Sequence, residues 1–176
     1  MENLRISPLI SQDEIKARVL KIGEALTEKF RGQELVAVGV LKGSFMFYAD
    51  LIRAIDTDLT CDFLGVSSYT DGMQSSGEVK LTLDLSKSIR DRHVLLIEDI
   101  VDTGLTMNFL KRHLATHKPK SVVTASLLLK PDALKEKCEV DHVGFKIPND
   151  FVVGFGLDYQ GYFRNLPYIA QVANIN

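Results

Sequence analysis

Val94-Leu95-Leu96-Ile97-Glu98-Asp99-Ile100-Val101-Asp102-Thr103-Gly104-Leu105-Thr106 is the stretch on which the reading of this chain turns. Its apolar opening gives way after Ile97 to acids, and then to two threonines around a glycine. A short unbroken apolar run suits a strand buried on both faces of a parallel sheet. The adjacent carboxylates of Glu98 and Asp99 can accept hydrogen bonds from hydroxyls or hold a hard cation. Asp102 follows three residues later, close enough to act in the same place. Asp102-Thr103-Gly104-Leu105-Thr106 then leads into a predicted helix through Leu110 and Leu114, whose free amides and positive dipole end attract phosphate. Thr103 and Thr106 add hydroxyls, and Gly104 allows close approach to the backbone. A plain helix cap at Asp102 or Thr103 would account for an isolated Asp-Thr-Gly, but for neither the acidic pair nor Thr106. No GxxxxGKS/T or GxGxxG pattern is present, which excludes a lysine-bearing phosphate loop and the usual dinucleotide fingerprint.

Working outward, Ser11 to Glu14 has the capping-box pattern, and Ile15, Val19, Ile22, Leu26 and Phe30 recur at helical spacing. Residues 35–41 form a second buried-strand run, ending in Lys42-Gly43-Ser44 before a short predicted helix that closes ahead of Asp56. Strands are predicted at 60–69 and 79–83 around a polar connection, then at 122–129, and shorter ones at 142–145 and 151–155. Alternating strands and helices imply an α/β fold with a mostly parallel twisted sheet flanked by helices. In such sheets ligands sit beyond the carboxyl ends of the strands. The segments 42–43 and 98–106 are therefore expected to face one crevice.

The 176 residues fit one domain, 1–176, with no linker or repeat to divide them. Hydrophobic residues make up 45% and charged residues 25%, as in a globular protein, and the net charge of −2 gives no general attraction to nucleic acid or anionic lipid. No nucleic-acid or membrane partner is expected. Apolar runs are too short to span a bilayer, and the charged N-terminal residues do not read as a signal peptide, so a cytoplasmic location is expected. Cys61 and Cys138 show no ligand spacing and are read as reduced thiols with a buried structural role. His93, His113, His117 and His142 are read as surface or strand-edge residues.

The pattern of residues 94–106 resembles the sugar-phosphate motif of the type I phosphoribosyltransferases, and within them the branch acting on hypoxanthine and guanine. The resemblance runs from about Ser11 to Arg164. It implies transfer of a phosphoribosyl group from phosphoribosyl pyrophosphate to a 6-oxopurine base, with magnesium. It implies that Asp102 is the general base and that Glu98 and Asp99 bind the ribose hydroxyls and metal. Thr103, Gly104, Leu105 and Thr106 would hold the 5′-phosphate. Leu41, Lys42 and Gly43 would form the pyrophosphate loop, often with a cis peptide, joined by Arg164. Ser68 and Tyr69 would head a mobile loop that excludes water.

For the base, the resemblance implies that Lys130 meets the exocyclic oxygen, Phe151 stacks on the ring and Val152 offers backbone hydrogen bonds. By the same resemblance Asp158 would lie near the base as a further magnesium-associated carboxylate. A small hood, formed from the N-terminal segment and the region after about 130, and a homo-oligomer, dimer or tetramer, are also implied. Two other readings are weighed: a regulator that keeps the sugar site as a sensor, and a receiver-like domain whose acids hold magnesium. The negative net charge counts against the first, and the Asp-Thr-Gly-Leu-Thr cradle against the second.

Overall fold

A computed structural model describes residues 5–68 and 79–173. The elements run β1 (Arg5–Ile10), α1 (Gln12–Lys29), β2 (Leu35–Leu41), α2 (Phe45–Arg53), β3 (Leu59–Ser68) and β4 (Val79–Leu83). They continue β5 (His93–Val101), α3 (Leu105–Thr116), β6 (Ser121–Leu129), β7 (His142–Lys146), β8 (Val152–Val153) and β9 (Ile169–Ala173).

Local sequence explains where the first helix starts and which way it faces. The Ser11 side chain accepts from the Glu14 amide while Glu14 accepts from the Ser11 amide, so two otherwise free donors are satisfied. Ile15, Val19, Ile22 and Leu26 are buried on one face of α1, with Phe30 just beyond it. The capping box and the apolar stripe are both as the sequence predicts.

Six strands form the main sheet in the order β4-β3-β2-β5-β6-β7. All neighbours are parallel except the β3–β4 pair. Successive side chains of a strand point to opposite faces, and the core divides accordingly. Leu35, Ala37, Leu95 and Ile97 pack with α1 and α2, whereas Val36, Val38, Val94 and Leu96 pack with Met107, Leu110 and Leu114 of α3. Each such buried Val, Leu, Ile or Met side chain contributes on the order of 1.5–3 kcal/mol of transfer free energy.

The strand order reverses between β2 and β5, because the chain steps outward from β2 to β3 and, on the other side, from β5 to β6. Crevices form at such a switch point. It lies between the carboxyl ends that carry residues 41–43 and 98–106.

A second, three-stranded antiparallel sheet has the order β1-β9-β8. It joins the N-terminal segment to residues after 150, and β7 instead extends the main sheet. Neither β1 nor β9 is expected from the sequence. Arg-Ile-Ser-Pro-Leu-Ile contains a proline, which sheets tolerate at an edge, and the register shifts between Pro8 and Ile10. Strand β9 is stabilised by pairing with two segments remote in sequence.

The thiols need a correction. Both cysteines are free, but Cys61 is exposed and Cys138 only half-buried. Cys61 lies in the half of β3 that β4 does not pair with, since β4 meets only Gly65 to Ser68.

Candidate active site

The alternation of side chains in β5 slips at its carboxyl end. Ile97 and Ile100 belong to the same core cluster, and Leu96 and Val101 to the other. Regular alternation would put residues three apart on opposite faces. The slip falls on Glu98 and Asp99, at the mouth of the crevice.

Glu98 is only 5% exposed, and its Oε2 has no hydrogen-bond partner among the described residues. Burial pushes its carboxyl well above the usual range, and the neighbouring Asp99 charge adds to this. Asp99 lies against Gly43, where a side chain would strike its Oδ2 at 1.7 Å. A side chain at position 43 would therefore displace the Asp99 carboxylate from its present place. Burial pushes Asp99 up to about 6, against the pull of its local backbone amides and Arg164.

A cavity of about 250 Å³ is lined by Leu41, Gly43, Glu98, Asp99, Asp102, Thr103, Gly104 and Thr106, with apolar walls from Val40, Val66, Ile100, Val101 and Met107. Gly104 has φ +82° and serves as the N-cap of α3. A Cβ there would lie 2.9 Å from that of Cys138. The left-handed backbone and the close packing both favour glycine. Leu105 and Lys42 do not line this cavity; Lys42 is exposed and the Leu41–Lys42 peptide is cis.

A second cavity of about 230 Å³ shares Gly43, Asp99, Ile100 and Asp102, and adds Lys130, Phe151, Val152, Leu157, Asp158 and Arg164. Asp102 stands where the two meet. The Lys130 ammonium, with its side chain only 8% exposed, donates to Asp102 Oδ2 at 3.1 Å, while the Asp102 carboxylate remains about half open. The Lys130 amide donates to the Val101 carbonyl at 2.9 Å and the Lys135 amide to that of Thr103 at 3.0 Å, tying the chain after β6 to this turn. Phe151 is 43% exposed, with Tyr159 edge-on to it at 5.7 Å.

Arg164 pairs with Asp158 at 2.5 Å and donates to the Gly156 carbonyl at 2.6 Å, while Asp158 also accepts from the Gly161 amide. Arg164 and Gly43, expected near pyrophosphate, thus share this cavity with Lys130, Phe151, Val152 and Asp158, expected near the base, whereas Leu41 lines only the first cavity and Lys42 neither. Ser68 ends β3, and Tyr69 lies outside the described residues.

Sequence reading missed Leu157 in this wall and the Lys130–Asp102 contact. The Gly154-Phe155-Gly156 spacing could have signalled the irregular turn that carries Leu157, since both glycines have positive φ. Nothing local signalled the contact.

Magnesium takes oxygen ligands and is commonly held by one or two carboxylates together with substrate phosphates. The unpartnered, buried Glu98 Oε2 and the adjacent Asp99 fit such an ion as an incomplete set. Glu98, Asp99 and Asp158 do not converge as a three-ligand cluster among the described residues. A cation would therefore need oxygens from a bound substrate.

Comparison with known proteins agrees with this geometry. The family described as phosphoribosyl transferase domain matches residues 11–160. The hypoxanthine-guanine phosphoribosyltransferase of Staphylococcus epidermidis is 48% identical over 161 residues, covering 92% of this chain and 90% of that protein. The bifunctional protein TilS/HprT of Listeria monocytogenes is also 48% identical over 92% of this chain, which spans only 25% of that longer relative. A crystal structure of a hypoxanthine-guanine phosphoribosyltransferase from Bacillus anthracis is 42% identical with a TM-score of 0.90, covering 98% of this chain and 100% of that one. By sequence, fold and the placement of its acidic turn, this chain belongs to the phosphoribosyl transferase domain family.

Proposed function

We propose that this chain is a purine-salvage transferase. It moves the phosphoribosyl group of phosphoribosyl pyrophosphate to hypoxanthine and to guanine, giving IMP or GMP and pyrophosphate. The observation that carries this reading is Asp102, which joins the cavity of the Thr103–Gly104–Thr106 turn to the one lined by Lys130 and Phe151. A sugar phosphate in the first and a planar base in the second would meet beside its carboxylate.

In the reaction the bond between the sugar carbon and the pyrophosphate oxygen breaks, and a bond to the purine imidazole nitrogen forms. Asp102 takes the proton from the imidazole, making that nitrogen a better nucleophile. Positive charge develops on the sugar, as in other glycosyl transfers, and the acids at the end of β5 favour it. The amides of the turn, Thr103 and Thr106 hold the 5′-phosphate.

The Lys130 ammonium has three donors and Asp102 uses one, which leaves others for the exocyclic oxygen of the base. An amino group at that position would leave a buried donor unpaired, so adenine is rejected. Phe151 covers the ring face and Val152 contributes backbone groups. Arg164, with the 41–43 loop, receives the pyrophosphate. Glu98 and Asp99, assisted by Asp158, would hold magnesium, which when bound neutralises charge on the leaving group. Closure by Ser68 and Tyr69 would exclude water.

Free thiols suit a reducing, cytoplasmic setting, and no helix of the described residues is long and apolar enough to cross a membrane. Assembly as a homo-oligomer is part of the same proposal. The test is pyrophosphate release from phosphoribosyl pyrophosphate with magnesium and each of hypoxanthine, guanine, xanthine and adenine. Turnover with 6-oxopurines and not with adenine is expected. Tight binding of the sugar substrate with no turnover on any base would overturn the enzyme reading in favour of a sensor.

A further inference from the structure

The C-terminal end of α3, far from the cradle at its N-terminus, carries a second group of ligating side chains. Asp84, His113 and His117 each offer one ligand atom, and these atoms lie within 4.8 Å of one another. His113 and His117 are four residues apart and therefore neighbours on one helix face. Their rings meet edge to face at 5.0 Å between centroids. Asp84 reaches across from the connection after β4, with its Oδ1 2.8 Å from His113 Nε2.

The arrangement is held in place from outside. Asp84 Oδ1 also accepts from the Leu85 amide at 2.8 Å, which fixes the carboxylate. Phe109, one turn before His113, stacks on that ring at 6.5 Å and 7°. The negative end of the helix dipole further favours a cation here. His113 and His117 are half-buried, while Asp84 opens to solvent, leaving room for water to complete the ligand set.

We propose that Asp84, His113 and His117 bind a divalent transition-metal ion of the zinc class, at a site distinct from the active site. Two imidazoles and one carboxylate match the nitrogen-rich sets that zinc, cobalt and nickel prefer, whereas magnesium requires oxygen donors. Tetrahedral zinc with ligands near 2.1 Å separates them by about 3.4 Å, so only small side-chain rotations are required. The ion replaces the hydrogen shared between His113 Nε2 and Asp84. It clips the connection after β4 to the end of α3, a helix about 18 Å long whose other end begins at the phosphate cradle.

The test uses the full-length chain without an affinity tag, titrated with zinc in excess magnesium and separately with cobalt as an optical probe. One equivalent of zinc is expected to bind, raising the thermal midpoint, and cobalt is expected to give a tetrahedral visible spectrum. His113→Ala and His117→Ala should each weaken zinc binding by roughly 10-fold or more, and Asp84→Asn by a similar factor. Magnesium-supported turnover of these variants, unchanged within about 2-fold, serves as the check that they fold. The proposal is overturned if zinc does not bind, or if affinity survives all three substitutions and is lost instead on replacing Cys61 or Cys138.

Discussion

One side of the active-site cleft comes from a single run, residues 98–106, whereas the facing side gathers Lys130, Phe151, Val152, Asp158 and Arg164 from separated turns. The first is a strand end running directly into a helix start, so its geometry follows from the chain's own path. The second depends on the β8–β9 pairing and on the ties from Lys130 and Lys135 to the turn after β5. In the proposed function a sugar phosphate has the same shape whatever the base, and one preorganised turn would suffice for it. Base choice needs groups that converge from several directions, and these hold only if the tertiary structure holds.

Asp102 belongs to both sides and should give the largest effect. Asp102→Ala is expected to lower turnover by roughly 10²–10⁴-fold, the usual worth of a positioned base, with a much smaller change in KM for phosphoribosyl pyrophosphate. Steady-state kinetics on both substrates check this. A loss confined to KM would mean that Asp102 positions the sugar and the base lies elsewhere.

Lys130→Met should act on base choice on the second side, and it also removes the partner of Asp102. It keeps the buried stem but removes the donor, and is expected to reduce the preference for hypoxanthine over adenine by roughly 10–100-fold. The check is the ratio of kcat/KM values for the two bases. An unchanged ratio would show that Lys130 serves only to hold Asp102.

Gly104→Ala should act on the first side. The substitution strains a backbone at φ +82° and brings a methyl against Cys138. A destabilisation of about 1–3 kcal/mol is expected from chemical denaturation. Affinity for the sugar phosphate should fall while base preference is retained.

The smallest effect is in pH. Asp99 and Glu98 both have carboxyls raised by burial, so the folded state holds protons that the unfolded chain gives up. The stability that these two groups contribute without ligands is then fully present below the ordinary carboxylate range. The contribution of Asp99 is lost as pH rises through about 6. Magnesium-dependent binding of phosphoribosyl pyrophosphate should strengthen over the same window, because the cation needs the ionised form. Denaturation and binding followed between pH 4 and pH 7 check both signs, and Asp99→Asn should flatten the Asp99 part of each slope.

Much of this molecule was legible in its sequence because the information is local. The capping box at Ser11, the unbroken strand runs, and the change from apolar to acidic after Ile97 are each set by neighbours a few residues away. They were enough for the α/β class and for a crevice between Gly43 and residues 98–106, though not for the position of Lys42, which lines neither cavity. The residues of the second cavity were named through family resemblance, since Phe151 or Arg164 alone signals nothing.

Other features depend on partners distant along the chain. Strand β9 is stabilised by pairing with residues 5–10 and 152–153, and the exposure of Cys61 follows from how far β4 extends. The contact between Lys130 and Asp102 and the cluster of Asp84 with His113 and His117 likewise join segments 28 or more residues apart. By itself the sequence determined the strand-to-helix turn and its chemistry, because backbone periodicity and helix-end amides act over short range. Only the tertiary structure decided which side chains meet across the cleft and at the far end of α3, because those distances depend on how the sheets and helices pack.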